Sequence, residues 1–125
     1  MAKLQYELEF HLNTSPKVLY PRLSTADGLN EWFADYVKIE GKTCTFRWQK
    51  EEREAELLQL KELKSAKYHW NDEDDDSFFE FRLETTELTD DLALKITDFA
   101  EDDEIDEAKD LWNAQIADLK RVLGA

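Results

Sequence analysis

EEREAELLQLKEL, residues 51–63, is the stretch on which the fold turns. Its Glu, Ala, Leu, Lys and Gln favour helix on propensity alone. Leu57, Leu58, Leu60 and Leu63 fit a helical face as well as they fit a strand. The neighbourhood decides between them. Alternating apolar sequence lies on both sides, and a helix here would interrupt a run of strands. The stretch therefore reads as one long strand of an antiparallel meander.

Just upstream, Val37 and Ile39 alternate with charges, Gly41-Lys42 turns the chain, and Cys44, Phe46 and Trp48 share one face. Downstream, Tyr68 and Trp70 continue the period of two. Phe79, Phe81 and Leu83 follow, then Leu92, Leu94 and Ile96. Turns are expected at residues 71–77 and at Thr89-Asp90-Asp91. The first segment alternates as well, with Leu4, Tyr6, Leu8, Phe10 and Leu12 against polar neighbours. Between it and the meander, Ser15-Pro16 and Thr25 each signal the start of a short helix, the second carrying Leu29, Trp32 and Phe33. At the other end Ile105, Ala108, Leu111, Trp112, Ile116, Leu119 and Leu123 recur at spacings of three and four. That spacing predicts an amphipathic helix, with acidic residues in its first turn, Lys120-Arg121 in its last and Gly124 after it.

Strand, two short helices, meander and long helix together make an α+β chain. The order resembles the helix-grip fold of the START-like (SRPBCC) superfamily, a curved antiparallel sheet of six to seven strands wrapped around a long C-terminal helix. Local sequence sharpens the resemblance. Thr14-Ser15-Pro16 with Leu19-Tyr20, then Gly28-Leu29 and Glu31-Trp32-Phe33-Ala34-Asp35, is similar to relatives of the heat-shock-chaperone ATPase activator domain. Phe46-Arg47-Trp48, Phe78-Phe79-Glu80-Phe81, Leu88-Thr89, Ile96-Thr97-Asp98-Phe99 and Leu111-Trp112 extend the likeness to small bacterial START-like proteins, over nearly the whole chain. The resemblance implies an apolar cavity between sheet and helix. It also implies a choice of roles, since related families bind lipids, polyketides or hormones, cyclise polyketides, or assist chaperones. A shared fold does not select among these.

The chain has 125 residues, the length of one domain spanning 1–125. With 42% hydrophobic residues and 15 aromatics it is expected to fold around a packed core. The net charge of −14 argues against nucleic acid and anionic membranes as partners. Most of the excess lies in residues 72–76 and 101–107. Apolar runs do not exceed three residues, so no membrane insertion is expected, and the first residues offer no signal region. One cysteine, Cys44, excludes an internal disulfide and suits a cytoplasmic location.

Ten residues stand out as candidate cavity walls: Trp32, Phe33, Phe46, Trp48, Trp70, Phe79, Phe81, Leu94, Trp112 and Ile116. They read either as plain core or as the lining of a pocket for an apolar or aromatic molecule. Asp72, Asp74 and Asp76 match the first ligands of a calcium loop, but Ser77 stands where glycine is needed and Leu83 where glutamate is needed. No metal site or other cofactor is expected. His11 and His69 read as surface residues without a metal-spaced partner, and Cys44 as a buried inert thiol. Asp98 continues the inward face of Leu92, Leu94 and Ile96, as a buried acid or as a cap for the last helix. Non-catalytic binding of a small hydrophobic ligand is the leading expectation. A protein-interaction module resembling the chaperone activator comes second, marked by a filled core and a surface patch. A cyclase-like enzyme comes third, with Asp98 its one inward acid. Monomer and homodimer are both compatible with the sequence.

Overall fold

In the computed structural model, which describes residues 3–73, 76–85 and 92–124, seven antiparallel strands form one sheet in the order β1-β7-β6-β5-β4-β3-β2. The strands are β1 (Leu4–Leu12), β2 (Tyr36–Glu40), β3 (Thr43–Trp48), β4 (Glu51–Lys61), β5 (Ser65–Trp70), β6 (Phe79–Thr85) and β7 (Leu92–Ala100). Consecutive strands of the meander pair with each other, and β1 closes the far side by pairing with β7 from Leu4↔Ala100 to Leu12↔Leu92. Leu88, Thr89, Asp90 and Asp91, with the turn read there, lie outside the described residues, as do Asp74 and Asp75.

The ambiguous stretch is a strand. β4 is hydrogen-bonded on both sides, to β3 and to β5, and this tertiary pairing overrides its helical propensity. Ala55 is fully buried between Cys44 and Trp70, and the register shifts between Leu57 and Gln59. Past that irregularity Leu58 and Leu60 are both exposed, so the alternation lapses where the helix-like spacing had been strongest.

Three short helices, not two, follow β1: α1 (Pro16–Leu19), α2 (Pro21–Ser24) and α3 (Ala26–Asn30). Ser15 caps α1, its side chain accepting from the Val18 amide. Pro21 has no N–H to continue that helix and opens α2 instead. The Thr25 hydroxyl accepts from Gly28 N at 3.0 Å and donates to Pro21 O at 2.7 Å, tying α3 to α2. Gly28 permits this approach, because a Cβ there would stand 2.0 Å from the Pro21 carbonyl oxygen. Trp32 and Phe33 lie beyond the end of α3, where both amides donate to Leu29 O.

A 3-10 turn, Asp102–Glu104, leads into α4 (Ile105–Leu123), which ends on Gly124 at φ +71°. The buried stripe of α4 is Trp112, Ile116 and Leu119, flanked by the half-buried Ile105, Ala108 and Leu123. Leu111 departs from the expected stripe and is 63% exposed. At about 100° per residue it cannot share a face with Trp112, and falls on the flank of Gln115, Asp118 and Val122. No described helix is long and apolar enough to cross a membrane.

The outer face of the sheet carries ion pairs across strands. Lys95 lies 3.7 Å from Glu9 and 3.0 Å from Glu84, and Arg82 lies 2.9 Å from Glu7. The inner face carries the core. Cys44 is wholly buried there, and burial pushes its thiol up to about 11. Native protein is therefore expected to resist a thiol-specific disulfide reagent at pH 8, with one equivalent reacting only on denaturation. Rapid labelling of the folded protein would contradict this placement.

Candidate functional site

The eight aromatic candidates come from five segments and meet around one ring. Phe33 reaches inward from the turn after α3. Its centroid lies between 5.3 and 6.5 Å from those of Trp32, Phe46, Trp48, Trp70, Phe79, Phe81 and Trp112. These distances are those of stacked and edge-to-face pairs, in which the rings touch. Leu94 and Ile116 complete the same cluster from β7 and α4. Three indoles have acceptors: Trp32 donates to Arg22 O at 2.7 Å, Trp48 to Phe33 O at 2.9 Å, and Trp112 to an oxygen of Asp98 at 3.0 Å.

Beside this cluster lies an open groove of about 670 Å3, between the turn after α3 and the outward flank of α4. Trp32, Phe33 and Trp48 form its apolar floor, and Leu111, Gln115 and Val122 its helical wall. The Gln115 side chain donates to Phe33 O at 3.4 Å, joining the two sides. Glu31, Asp35 and Asp118 place carboxylates at the rim, with Arg121 paired to Asp118 at 2.9 Å.

A smaller recess of about 190 Å3 lies near the start of α4. Trp70 lines it, together with Asp98, Lys3, Arg53, Glu73 and Glu104. The other six candidates, Phe46, Phe79, Phe81, Leu94, Trp112 and Ile116, line neither the groove nor the recess. The two acidic stretches of the sequence thus approach each other, since Glu73 and Glu104 border one recess. Arg53 lies over the Trp70 ring at 4.0 Å and pairs with Asp72 at 2.7 Å, while Lys3 pairs with Glu73. Arg53 also holds the Asp72 carboxyl below its ordinary range.

Asp98 is a half-buried acid and does not cap the last helix. One oxygen accepts from the Phe99 amide at 2.8 Å. The other accepts from Tyr6 Oη at 3.2 Å and Trp112 Nε1 at 3.0 Å. Burial raises its pKa, against the opposing pull of these three donors. Burial also raises Tyr6, and the Asp98 charge adds to that effect. Sequence reasoning passed over Tyr6 and Arg53. The register Tyr6↔Asp98 brings the phenol to the acid, and that signal is readable only once β1 is known to pair with β7. Of the histidines, His11 is exposed beside Glu9 at 3.1 Å, whereas His69 is half-buried with Nδ1 2.8 Å from Ser77 O. Among the described residues Glu101, Asp103 and Glu104 converge within 4.8 Å, with no histidine or cysteine joining them.

An antiparallel sheet holding one long helix against an aromatic inner face defines a helix-grip domain. A START-like superfamily domain matches residues 1–125, and the chain belongs to that superfamily. BfR322 from Bacteroides fragilis, a solution NMR structure, is 38% identical, with a TM-score of 0.71 over 98% of this chain and 93% of that one. The Aha1 dimer from Colwellia psychrerythraea is 20% identical, with a TM-score of 0.79 over 94% and 93%. DynU16, a putative protein in the dynemicin biosynthetic locus, is 11% identical, with a TM-score of 0.81. That match covers 97% of this chain but 47% of DynU16. The last two likenesses are of fold. No curated protein matches the chain.

Proposed function

We propose that this protein binds a small apolar or aromatic molecule without chemical turnover, in the groove between the turn after α3 and the flank of α4. The single observation behind the reading is the composition of that groove, where the rings of Trp32, Phe33 and Trp48 face an unburied Leu111 across about 670 Å3. Volumes of about 300–1,000 Å3 are typical of small-molecule sites, and here the aromatic floor is bordered by a largely polar rim of Asn30, Glu31, Asp35, Gln115, Asp118 and Arg121. The site therefore lies at the edge of the aromatic cluster, not inside it. Phe46, Phe79, Phe81, Leu94, Trp112 and Ile116 support the floor from behind. No histidine or cysteine stands among the groove residues beside the rim carboxylates, which favours binding over catalysis.

Leu111→Asp tests the reading without threatening the core, because the side chain is mostly in solvent. Wild-type protein should enhance the fluorescence of a neutral naphthylamine probe saturably. The variant should bind about fivefold more weakly, the equivalent of roughly 40 Å2 of lost apolar contact. Equal affinity in the two proteins would remove the groove from consideration. A protein-interaction role is the second reading, favoured by the close packing of the rings around Phe33. Saturable stimulation of a chaperone ATPase, with no probe binding, would select it.

A further inference from the structure

The recess near the start of α4 has a charge imbalance that the groove does not use. Three carboxylates line it, Glu73, Asp98 and Glu104, against two cations, Lys3 and Arg53. Both cations are engaged by Glu73, and Arg53 is drawn further to Asp72. Asp98 has only neutral donors, the Tyr6 hydroxyl, the Trp112 indole and the Phe99 amide. Among the described residues no ion pair reaches it, and the Lys3 charge that acts on it is shared with Glu73, so the recess has room for a further positive charge.

The pattern of hydrogen bonds restricts what can supply that charge. A carboxylate offers about four lone-pair sites, two on each oxygen. Asp98 Oδ2 already accepts two bonds and Oδ1 accepts one, leaving a single position on Oδ1. A guanidinium fork requires parallel positions on both oxygens, whereas an ammonium group needs only one. The remaining walls include Phe78, Phe99, Ala100 and Ala108, which suit a short hydrocarbon tail. At about 190 Å3 the recess has room for a small ion with a short tail.

We propose that this recess binds a small primary alkylammonium ion, its N–H donated to Asp98 Oδ1 and its tail lying against Phe78, Phe99 and Ala108. The same chemistry is carried by a free amine and by a lysine side chain. The small volume and the Lys3–Glu73 and Arg53–Glu73 pairs among the walls favour the free amine.

The test follows the Trp112 indole and Phe99 amide signals by two-dimensional NMR at pH 7 and constant ionic strength. Titration with n-butylammonium should move both saturably, with a dissociation constant of roughly a millimolar. Nα-acetyl-lysinamide should bind more weakly, and tighter binding of it would instead identify a protein lysine as the source. Asp98→Asn should abolish saturation, and Glu104→Gln, at an exposed position, should weaken binding about threefold. Identical shifts with potassium or guanidinium chloride, or no saturation with either amine, would overturn the proposal. If Asp98→Asn does not fold, the Glu104→Gln and guanidinium comparisons decide it.

Discussion

Phe33→Ala should lower the free energy of unfolding by about 4 kcal/mol, within the range for removing a fully packed aromatic ring. The expectation is at the upper part of the scale because of where the ring sits. Its seven aromatic neighbours belong to β3, β5, β6, α4 and its own turn. The strands among them are fixed by hydrogen-bonded registers and cannot close together over the gap. Collapse could come only from α4, which Trp112 ties to Asp98 on β7. A void should therefore persist, opening onto the groove that Phe33 also lines.

Urea denaturation measures this, as a fall in midpoint at constant slope. A cost under about 1 kcal/mol would mean that the cluster repacks freely and that Phe33 is not its centre. The same variant bears on ligand binding. An enlarged cavity should take up a small neutral aromatic such as benzene more tightly than the wild-type protein does. Leu111→Ala provides the contrast. Its side chain is mostly in solvent, so its stability cost should stay within about 0.5 kcal/mol.

What could be read from the sequence divides along a physical line. Period and capping are local, and they carried most of the fold. The alternation of residues 4–12, the Ser15 and Thr25 caps and the Gly124 terminus all stand where their residue types place them. The failures came where two local rules competed or where a contact was distant in sequence. Pro21 divides what read as one helix, because its missing N–H matters only once Pro16 has started the preceding turn. Leu111 fitted a spacing of three from Ala108, but the stripe is set by Trp112, and one position of offset turns a side chain to solvent. The aromatic residues were recognised as a set. Whether they enclose space depends on the path of a single turn, residues 31–35, and no periodicity encodes it. The recess is harder still to foresee, since it assembles Lys3, Arg53, Glu73, Asp98 and Glu104 from separate segments.

Asp98 makes a second large and directional expectation, in the pH dependence of stability. Its folded carboxyl titrates above its unfolded value because burial outweighs three hydrogen bonds. The folded state thus holds the proton more tightly than the unfolded chain. The contribution is complete below the unfolded pKa and is lost as pH rises through the folded one, at about 1.4 kcal/mol for each unit of separation. Asp72 acts in the opposite sense. Arg53 lowers its pKa, so its contribution is present above the unfolded value and disappears as pH falls through the folded one. That side chain is 60% exposed, and solvent screening keeps its share small. Self-repulsion of a chain of net charge −14 also grows as carboxyl groups ionise, and it runs in the same direction as Asp98. The total curve therefore cannot isolate Asp98, but a difference between proteins can. Above about pH 4 the stability of wild type relative to Asp98→Asn should decline, and should level off once the pH has passed the folded pKa. The decline should survive high salt, because screening weakens surface repulsion far more than the penalty on a buried charge. A flat difference would place the Asp98 pKa at its unfolded value. A rising difference would mean that Tyr6, Trp112 and the Phe99 amide outweigh burial, and that the carboxylate is held ionised as a clamp between β1, β7 and α4.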